Sequence, residues 1–253
     1  MPRPPRPSSA QTRNVHAFAV THRGKVRLKN EDAFVVGDKA RASLRDPLVE
    51  EFRLTADGAL VAVIDGMGGL GGGDIAAGLL ANCWAGRRIR TPAALKRSLV
   101  ADHAAMLAES RGSATPLMGA VATGASLHPA HINLFHVGDS RAYQVGRTKS
   151  VLLTRDHVNE RGVLTQGFGG GDLPGLPNEL MPQMLRLPWP ATGDALLFVS
   201  DGAWRYLSPA LLSSVYAACP EPREFVITLA GIILESPAND NLTLLVVKSP
   251  GGS

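Results

Sequence analysis

The order in which strand-like and helix-like patterns follow one another constrains this chain most. Eight short runs carry the β-branched, aromatic and aliphatic residues of buried strands between turn residues: HAFAV, DAFVVG, ALVAVID, AVATGASL, INLFHVG, RAYQVG, ALLFVSD and NLTLLVV. Helical spacing falls between the third and fourth runs and again between the seventh and eighth. Asp74 is placed to cap IAAGLLANCWAGRRIR, with Ile75, Leu79 and Leu80 on its apolar face. Thr91-Pro92 opens a second helix, with Leu95, Leu99, Met106 and Leu107 inward. Ser208-Pro209 repeats that start, and Pro222 opens a fourth helix with Phe225, Leu229, Ile232 and Ile233 inward. Strands and helices thus come in blocks. Blocks exclude the alternating pattern of a doubly wound parallel sheet and predict an α+β fold with antiparallel sheets covered by helix pairs.

The carboxylates have a place in this pattern. In VAVIDGMGGLGGGD an aliphatic run stops at Asp65, and glycine follows at 66, 68, 69, 71, 72 and 73. Glu31 and Asp32 precede a strand, Asp139 lies in a tight turn between two strands, Asp201 ends a strand, and Asp240 precedes the last one. Strand ends lie along the rim of a packed sheet, so residues far apart in sequence can meet there. Gathered carboxylates repel, and one takes a proton unless a cation sits among them. An oxygen-only donor set without a histidine or cysteine pattern favours Mg²⁺ or Mn²⁺. Gly66, lacking Cβ, would let its carbonyl reach such an ion. The glycine run lacks the Lys-Ser/Thr ending of a phosphate-binding P-loop. By spacing alone the aspartates are equally well read as ordinary turn formers.

Length and composition narrow the classes. A chain of 253 residues with 45% apolar side chains can bury a sizeable core. Residues 1–13, MPRPPRPSSAQTR, have four prolines, three arginines and no hydrophobic stretch, and predict a disordered tail rather than a signal peptide. By length, residues 14–248 make one large domain or two small ones. The longest apolar run, FVITLAGIIL, is about half the length of a membrane span. Cys83 and Cys219 have no metal-like spacing and read as reduced core residues, which fits a cytoplasmic protein. A net charge of +4 without a basic stripe, and 5% aromatic residues, argue against nucleic acid as partner.

Taken in order, GKVRLKNEDAF, VAVIDGMGG, HVGDSRAYQV, GDALLFVSDG and NDNLTLLVV resemble the five motifs of the type 2C (PPM) metal-dependent protein serine/threonine phosphatases, bacterial type, over roughly residues 14–248. The resemblance implies a central antiparallel β-sandwich flanked by helix pairs, in α-β-β-α layers. It implies two Mn²⁺ or Mg²⁺ ions held by Asp32, Asp65, the Gly66 carbonyl, Asp201 and Asp240, with Asp65 between them. Glu31 and Asp32 would act on one side, directly or through water, and Arg27 would bind the substrate phosphate. Asp139 would serve a third, weaker ion. The implied reaction removes phosphate from phosphoserine or phosphothreonine of a protein, as a monomer opposing a serine/threonine kinase. The alternative is a degenerate phosphatase domain used as a regulatory binding module. The filled ligand positions favour the enzyme, and an unrelated metal-dependent phosphodiesterase ranks below both.

The chain also departs from that pattern. Met67 stands where many eukaryotic members have histidine, and Arg205 where an aspartate is frequent. Between LTRDHV and VLTQGFGG only NERG remains, where bacterial members place a helix and a mobile flap. An open site is the expected result, with selection left to rim residues such as Trp204 and Arg205 or to docking elsewhere. His22 reads as an exposed loop residue rather than a proton donor, and His136 as packed within a strand. His157 is given no catalytic role, and Trp84 and Trp189 read as packing residues.

Overall fold

The computed structural model describes residues 13–42, 47–67, 72–112, 115, 117–171, 173 and 175–248. All but the last residue of the proline-arginine tail, and the glycine-rich stretch 68–71, lie outside them. Chain order runs β1 (Asn14–His22), β2 (Asp32–Val36), β3 (Lys39–Arg41), β4 (Leu48–Thr55) and β5 (Ala59–Met67), then α1 (Gly73–Trp84) and α2 (Pro92–Gly112). There follow β6 (Gly119–Leu127), β7 (Ile132–Val137), β8 (Arg141–Val145), β9 (Ser150–Leu152), β10 (Phe168–Gly169), β11 (Gln183–Leu187) and β12 (Ala195–Val199). The one-turn α3 (Asp201–Trp204), then α4 (Pro209–Ala218), α5 (Pro222–Glu235) and β13 (Leu242–Lys248) complete the described chain.

The strands form two sheets, ordered β4-β1-β13-β12-β8-β9 and β11-β7-β6-β5-β2-β3, with β10 added beside β6. Their pairings are antiparallel. Side chains alternate along each strand between two different apolar layers. In β5, Val61 and Val63 enter the layer between the sheets, beside Phe34, Leu134, Phe198 and Leu245. Leu60, Ala62 and Ile64 point the other way, onto Ala77, Leu80, Trp84, Leu95 and Leu99 of α1 and α2. On the far side Leu244 and Val246 of β13 meet Leu212, Tyr216, Phe225 and Leu229 of α4 and α5. Strands covered on both faces read as continuous apolar runs, which is why these were visible in the sequence. The layers are helix, sheet, sheet, helix, as expected.

Three details differ from expectation. Helix α1 is capped by Gly72 in the left-handed region, with Asp74 in its first turn, and it ends at Trp84 well short of Arg90. Its buried face is Ala76, Ala77, Leu80, Ala81 and Trp84, while Ile75 and Leu79 are exposed. The sheet takes small residues at the contact and leaves the large aliphatic ones outside. Cys83 and Cys219 are free, but Cys83 is exposed and Cys219 only half-buried. The strands at the four sheet edges, β3, β4, β9 and β11, were not expected from the sequence. Edge strands carry charges, and LVEEFRLT in β4 breaks the apolar pattern with two glutamates. At that edge, Arg41 of β3 in one sheet clasps Glu50 of β4 in the other through bonds of 2.7 and 2.5 Å.

The expected cap of α4 and the packing of Trp84 and Trp189 hold. Ser208 caps α4 by accepting from the Leu211 N–H. Trp84 is fully buried and donates to Asp102 at 2.8 Å, and Trp189 donates to the His128 carbonyl at 2.7 Å.

Candidate active site

Strand ends from both sheets bring the carboxylates to one rim. Asp32 opens β2 and faces Asp65 of β5 directly across the antiparallel ladder. Like charges in that relation destabilise a sheet pair. Burial is the main force raising both acids. Asp32 is pushed up to about 7, with Asp201 and Asp240 adding to the rise against hydrogen bonds from Thr243 and Ser200. Asp65 is raised well above the usual carboxylate range by burial, then by Asp32, Asp201, Asp139 and Asp240. Those residues span the whole chain, so the topology has gathered Asp32, Asp65, Asp139, Asp201 and Asp240 within electrostatic reach of one another.

A polar frame that the sequence reading missed holds Asp32. Its Oδ2 accepts from Ser200 Oγ at 2.8 Å and from Thr243 Oγ1 at 2.6 Å. Thr243 Oγ1 lies 2.8 Å from Thr21 Oγ1, which accepts from Asn30 Nδ2 at 2.8 Å. Asn241 accepts from the Glu31 N–H and donates to the carbonyls of Arg23 and Lys29. The signal was the hydroxyl immediately before Asp201 and the amide immediately after Asp240, and both sit inside motifs read only for their acids.

Asp32 Oδ1 is buried without a hydrogen-bond partner. A buried, unpartnered carboxylate oxygen within electrostatic reach of other acids suits a hard cation. The donor set is oxygen alone, so Mg²⁺ or Mn²⁺ fits these residues. Among the described residues no group of three or more His, Cys, Asp or Glu side chains is placed to hold a metal ion as the side chains stand. Two of the acids are held by guanidinium groups: Arg27 donates to Asp240 at 2.8 Å and Arg205 to Asp201 at 2.6 Å. Gly66 has a packing reason to be glycine. A Cβ there would lie 2.2 Å from the Gly73 carbonyl oxygen and 2.6 Å from that of Glu31. Glu31 is half-buried, and burial followed by Asp74 raises its carboxyl.

The turn that carries Asp139 is clamped on every side. The Gly138 N–H donates to His157 Nδ1 at 3.1 Å, and the His157 N–H donates to the Gly138 carbonyl at 2.7 Å. Trp204 Nε1 donates to the Asp139 carbonyl at 2.7 Å, and Thr123 Oγ1 donates to that of Ser140 at 2.9 Å. Arg141 lies 3.4 Å over the Trp204 ring and pairs with Asp156. Trp204 is thus tied into the site's own frame, while Arg205 contacts Asp201 with more than half of its side chain exposed. Asp139 is raised to about 6, chiefly by burial.

The other singled-out residues fall as follows. His136 is fully buried between Thr123 and the Arg155 carbonyl. His22 closes β1 and accepts from the Gly24 N–H. Met67 packs its methyl over Gly119 and Gly167 and offers no proton. The shortened flap is a tight turn in which Val158 pairs with Leu164.

Residues 16–161 match the family model described as protein phosphatase 2C. The Streptococcus agalactiae serine/threonine phosphatase is similar with a TM-score of 0.74 and 21% identity, over 93% of this chain and 99% of that one. The Mycobacterium tuberculosis serine/threonine phosphatase PstP gives 0.72 and 24%, over 94% and 100%. PppA, a regulatory component of type VI secretion in Pseudomonas aeruginosa, gives 0.72 and 25%, over 93% and 97%. A Mycoplasma pneumoniae protein named as a candidate protein phosphatase is 27% identical over 127 residues, 45% of this chain and 49% of that protein. The chain spans about half the length of that curated relative. With the family model covering more than half its residues, the chain belongs to the protein phosphatase 2C family.

Proposed function

We propose that this chain removes phosphate from phosphoserine and phosphothreonine of proteins at the Asp32–Asp65 rim, opposing a serine/threonine kinase in the cytoplasm of a bacterium. The observation that carries the reading is the direct opposition of Asp32 and Asp65, both buried enough to be raised, with an unpartnered oxygen on Asp32. A fold keeps such a costly arrangement where chemistry requires it.

Asp32, Asp65, the Gly66 carbonyl, Asp201 and Asp240 are the groups that would hold two Mg²⁺ or Mn²⁺ ions. Such ions, when bound, lower the pKa of water and offset charge on the phosphoryl group. The chain's own residues do the rest. Arg27 is half exposed at the rim, and its planar fork suits two oxygens of a phosphate dianion. To bind phosphate it exchanges its contact with Asp240. Ser200 and Thr243 fix the orientation of Asp32, and Trp204 and His157 fix the turn of Asp139.

Purified protein should hydrolyse an aryl phosphate with added Mn²⁺ or Mg²⁺ and lose that activity in EDTA. Asp65→Asn and Asp240→Asn should each lower turnover by several orders of magnitude. Hydrolysis that survives complete metal removal, or that persists in both variants at saturating metal, overturns the reading.

A further inference from the structure

The loop 23–29, RGKVRLK, presents apolar side chains to solvent in an ordered setting. Val26 is 65% exposed and Leu28 91% exposed, and they flank Arg27. The loop is clasped at its base. Asn241 Nδ2 donates to the Arg23 carbonyl at 2.9 Å and to the Lys29 carbonyl at 2.8 Å. The Lys25 N–H donates to the Ala238 carbonyl at 2.8 Å, and Lys25 Nζ to that of Ser236 at 2.9 Å. Gly24 has a φ of +80°, and a Cβ there would stand 2.2 Å from the Asp240 carbonyl oxygen. Only glycine allows that approach, so the loop stays pressed against the strand end that carries Asp240. Lys29 reaches across to Asp74 at 3.2 Å, beside the exposed Ile75 of α1.

A loop held at both ends while two aliphatic residues face water has no packing purpose for them. The guanidinium between them selects their partner: whatever brings phosphate to Arg27 also brings its neighbouring residues over Val26 and Leu28. We propose that Val26 and Leu28 form a docking face for the substrate segment around the phosphorylated residue, favouring an aliphatic or aromatic side chain close to the phosphoserine or phosphothreonine. This rests on the phosphatase reading above. Lys25 and Lys29 give the same loop a positive character, which favours acidic residues further along that segment and disfavours basic ones. With Trp204 bound into the frame, this loop takes a role in selection that the shortened flap does not fill.

The test compares wild type, Leu28→Ser and Val26→Ser/Leu28→Ser on phosphopeptides that differ only in having Leu, Ser or Lys beside the phosphoserine. A phosphopeptide with glycine beside the phosphoserine, which offers Val26 and Leu28 no side chain, is the control. Wild type should favour the Leu peptide over the Ser peptide by about tenfold in kcat/KM, the effect of partly burying one such side chain. Leu28→Ser should reduce that preference to about threefold and the double variant should abolish it, with hydrolysis of the glycine-flanked control unchanged. Equal preference in all three proteins overturns the proposal. So does capture of acidic phospholipid vesicles by wild type but not by the double variant, with the peptide ranking unaltered. If wild type hydrolyses nothing, the phosphatase reading fails, and binding of labelled phosphopeptides by fluorescence anisotropy then decides the docking face. Weaker binding of the Leu peptide to Leu28→Ser sustains it, and equal binding refutes it.

Discussion

Removing one carboxylate from the crowded rim should stabilise the protein when no divalent cation is present. Asp32→Asn is the cleanest perturbation, because the amide oxygen keeps an acceptor for Ser200 and Thr243. The folded state raises Asp32 from 3.8 to about 7, chiefly by burial. A group raised in this way contributes stability below its unfolded value, and that stability is lost as pH rises through the folded value. About three units at 1.36 kcal/mol each set an upper limit of ~4 kcal/mol above pH 7. The amide that replaces the carboxyl is itself polar and buried, so about half, ~2 kcal/mol, is the gain expected from the substitution. For a chain of this size that is a Tm increase of roughly 4–8 °C. Thermal unfolding in EDTA between pH 3 and pH 8 measures it. The variant should match wild type near pH 3, where the acid is protonated in both states, and exceed it at pH 8. Added Mn²⁺ should reverse the order, because wild type then gains more from binding than the variant does. A variant that is no more stable than wild type at pH 8 in EDTA would refute the idea that these acids are crowded.

Other expectations follow from the same geometry. Arg27→Ala should raise KM for phosphorylated substrates by about ten- to hundredfold, with little change in the Mn²⁺ concentration needed for half-activity, as kinetic titration would reveal. Trp204→Phe keeps a ring beneath Arg141 but removes the N–H that holds the Asp139 carbonyl; kcat should fall several-fold with KM unchanged, and the Mn²⁺-induced change in tryptophan fluorescence should shrink. Burial lowers His136 to about 4, so wild type should lose about 3 kcal/mol as pH falls from 6.5 toward 4. Urea unfolding of His136→Gln should lack that loss. Its sense is opposite to that of Asp32 over an overlapping range, so Asp32→Asn should show the histidine effect more plainly than wild type does.

The central strands were legible because both faces of each sheet are covered, which turns β2, β5, β7, β12 and β13 into mainly apolar runs. The acids of the rim were legible as strand-end residues. What was not legible is what holds them. Ser200, Thr243, Thr21 and Asn241 look like ordinary polar residues until topology brings the ends of β1, β2, β12 and β13 together. Helix α1 misled for a related reason: amphipathic spacing pointed to Ile75 and Leu79, but close approach to the sheet favours Ala76, Ala77 and Ala81. The role of Trp204 depends on Asp139 and Arg141, far away in sequence, and that of Arg205 on Asp201, four residues back, which meets it only once α3 forms.

The clasp between Arg41 and Glu50 has a consequence for how these molecules behave in a crowd. It fastens the outermost strand of one sheet to the outermost strand of the other, so this flank of the sandwich is seamed rather than open. A neighbouring chain that tried to extend either sheet there would first have to separate a doubly hydrogen-bonded ion pair. Opening the seam, for instance with Glu50→Ala, would leave two adjacent strand borders available at once, and slow β-rich aggregation on storage would be its outward sign.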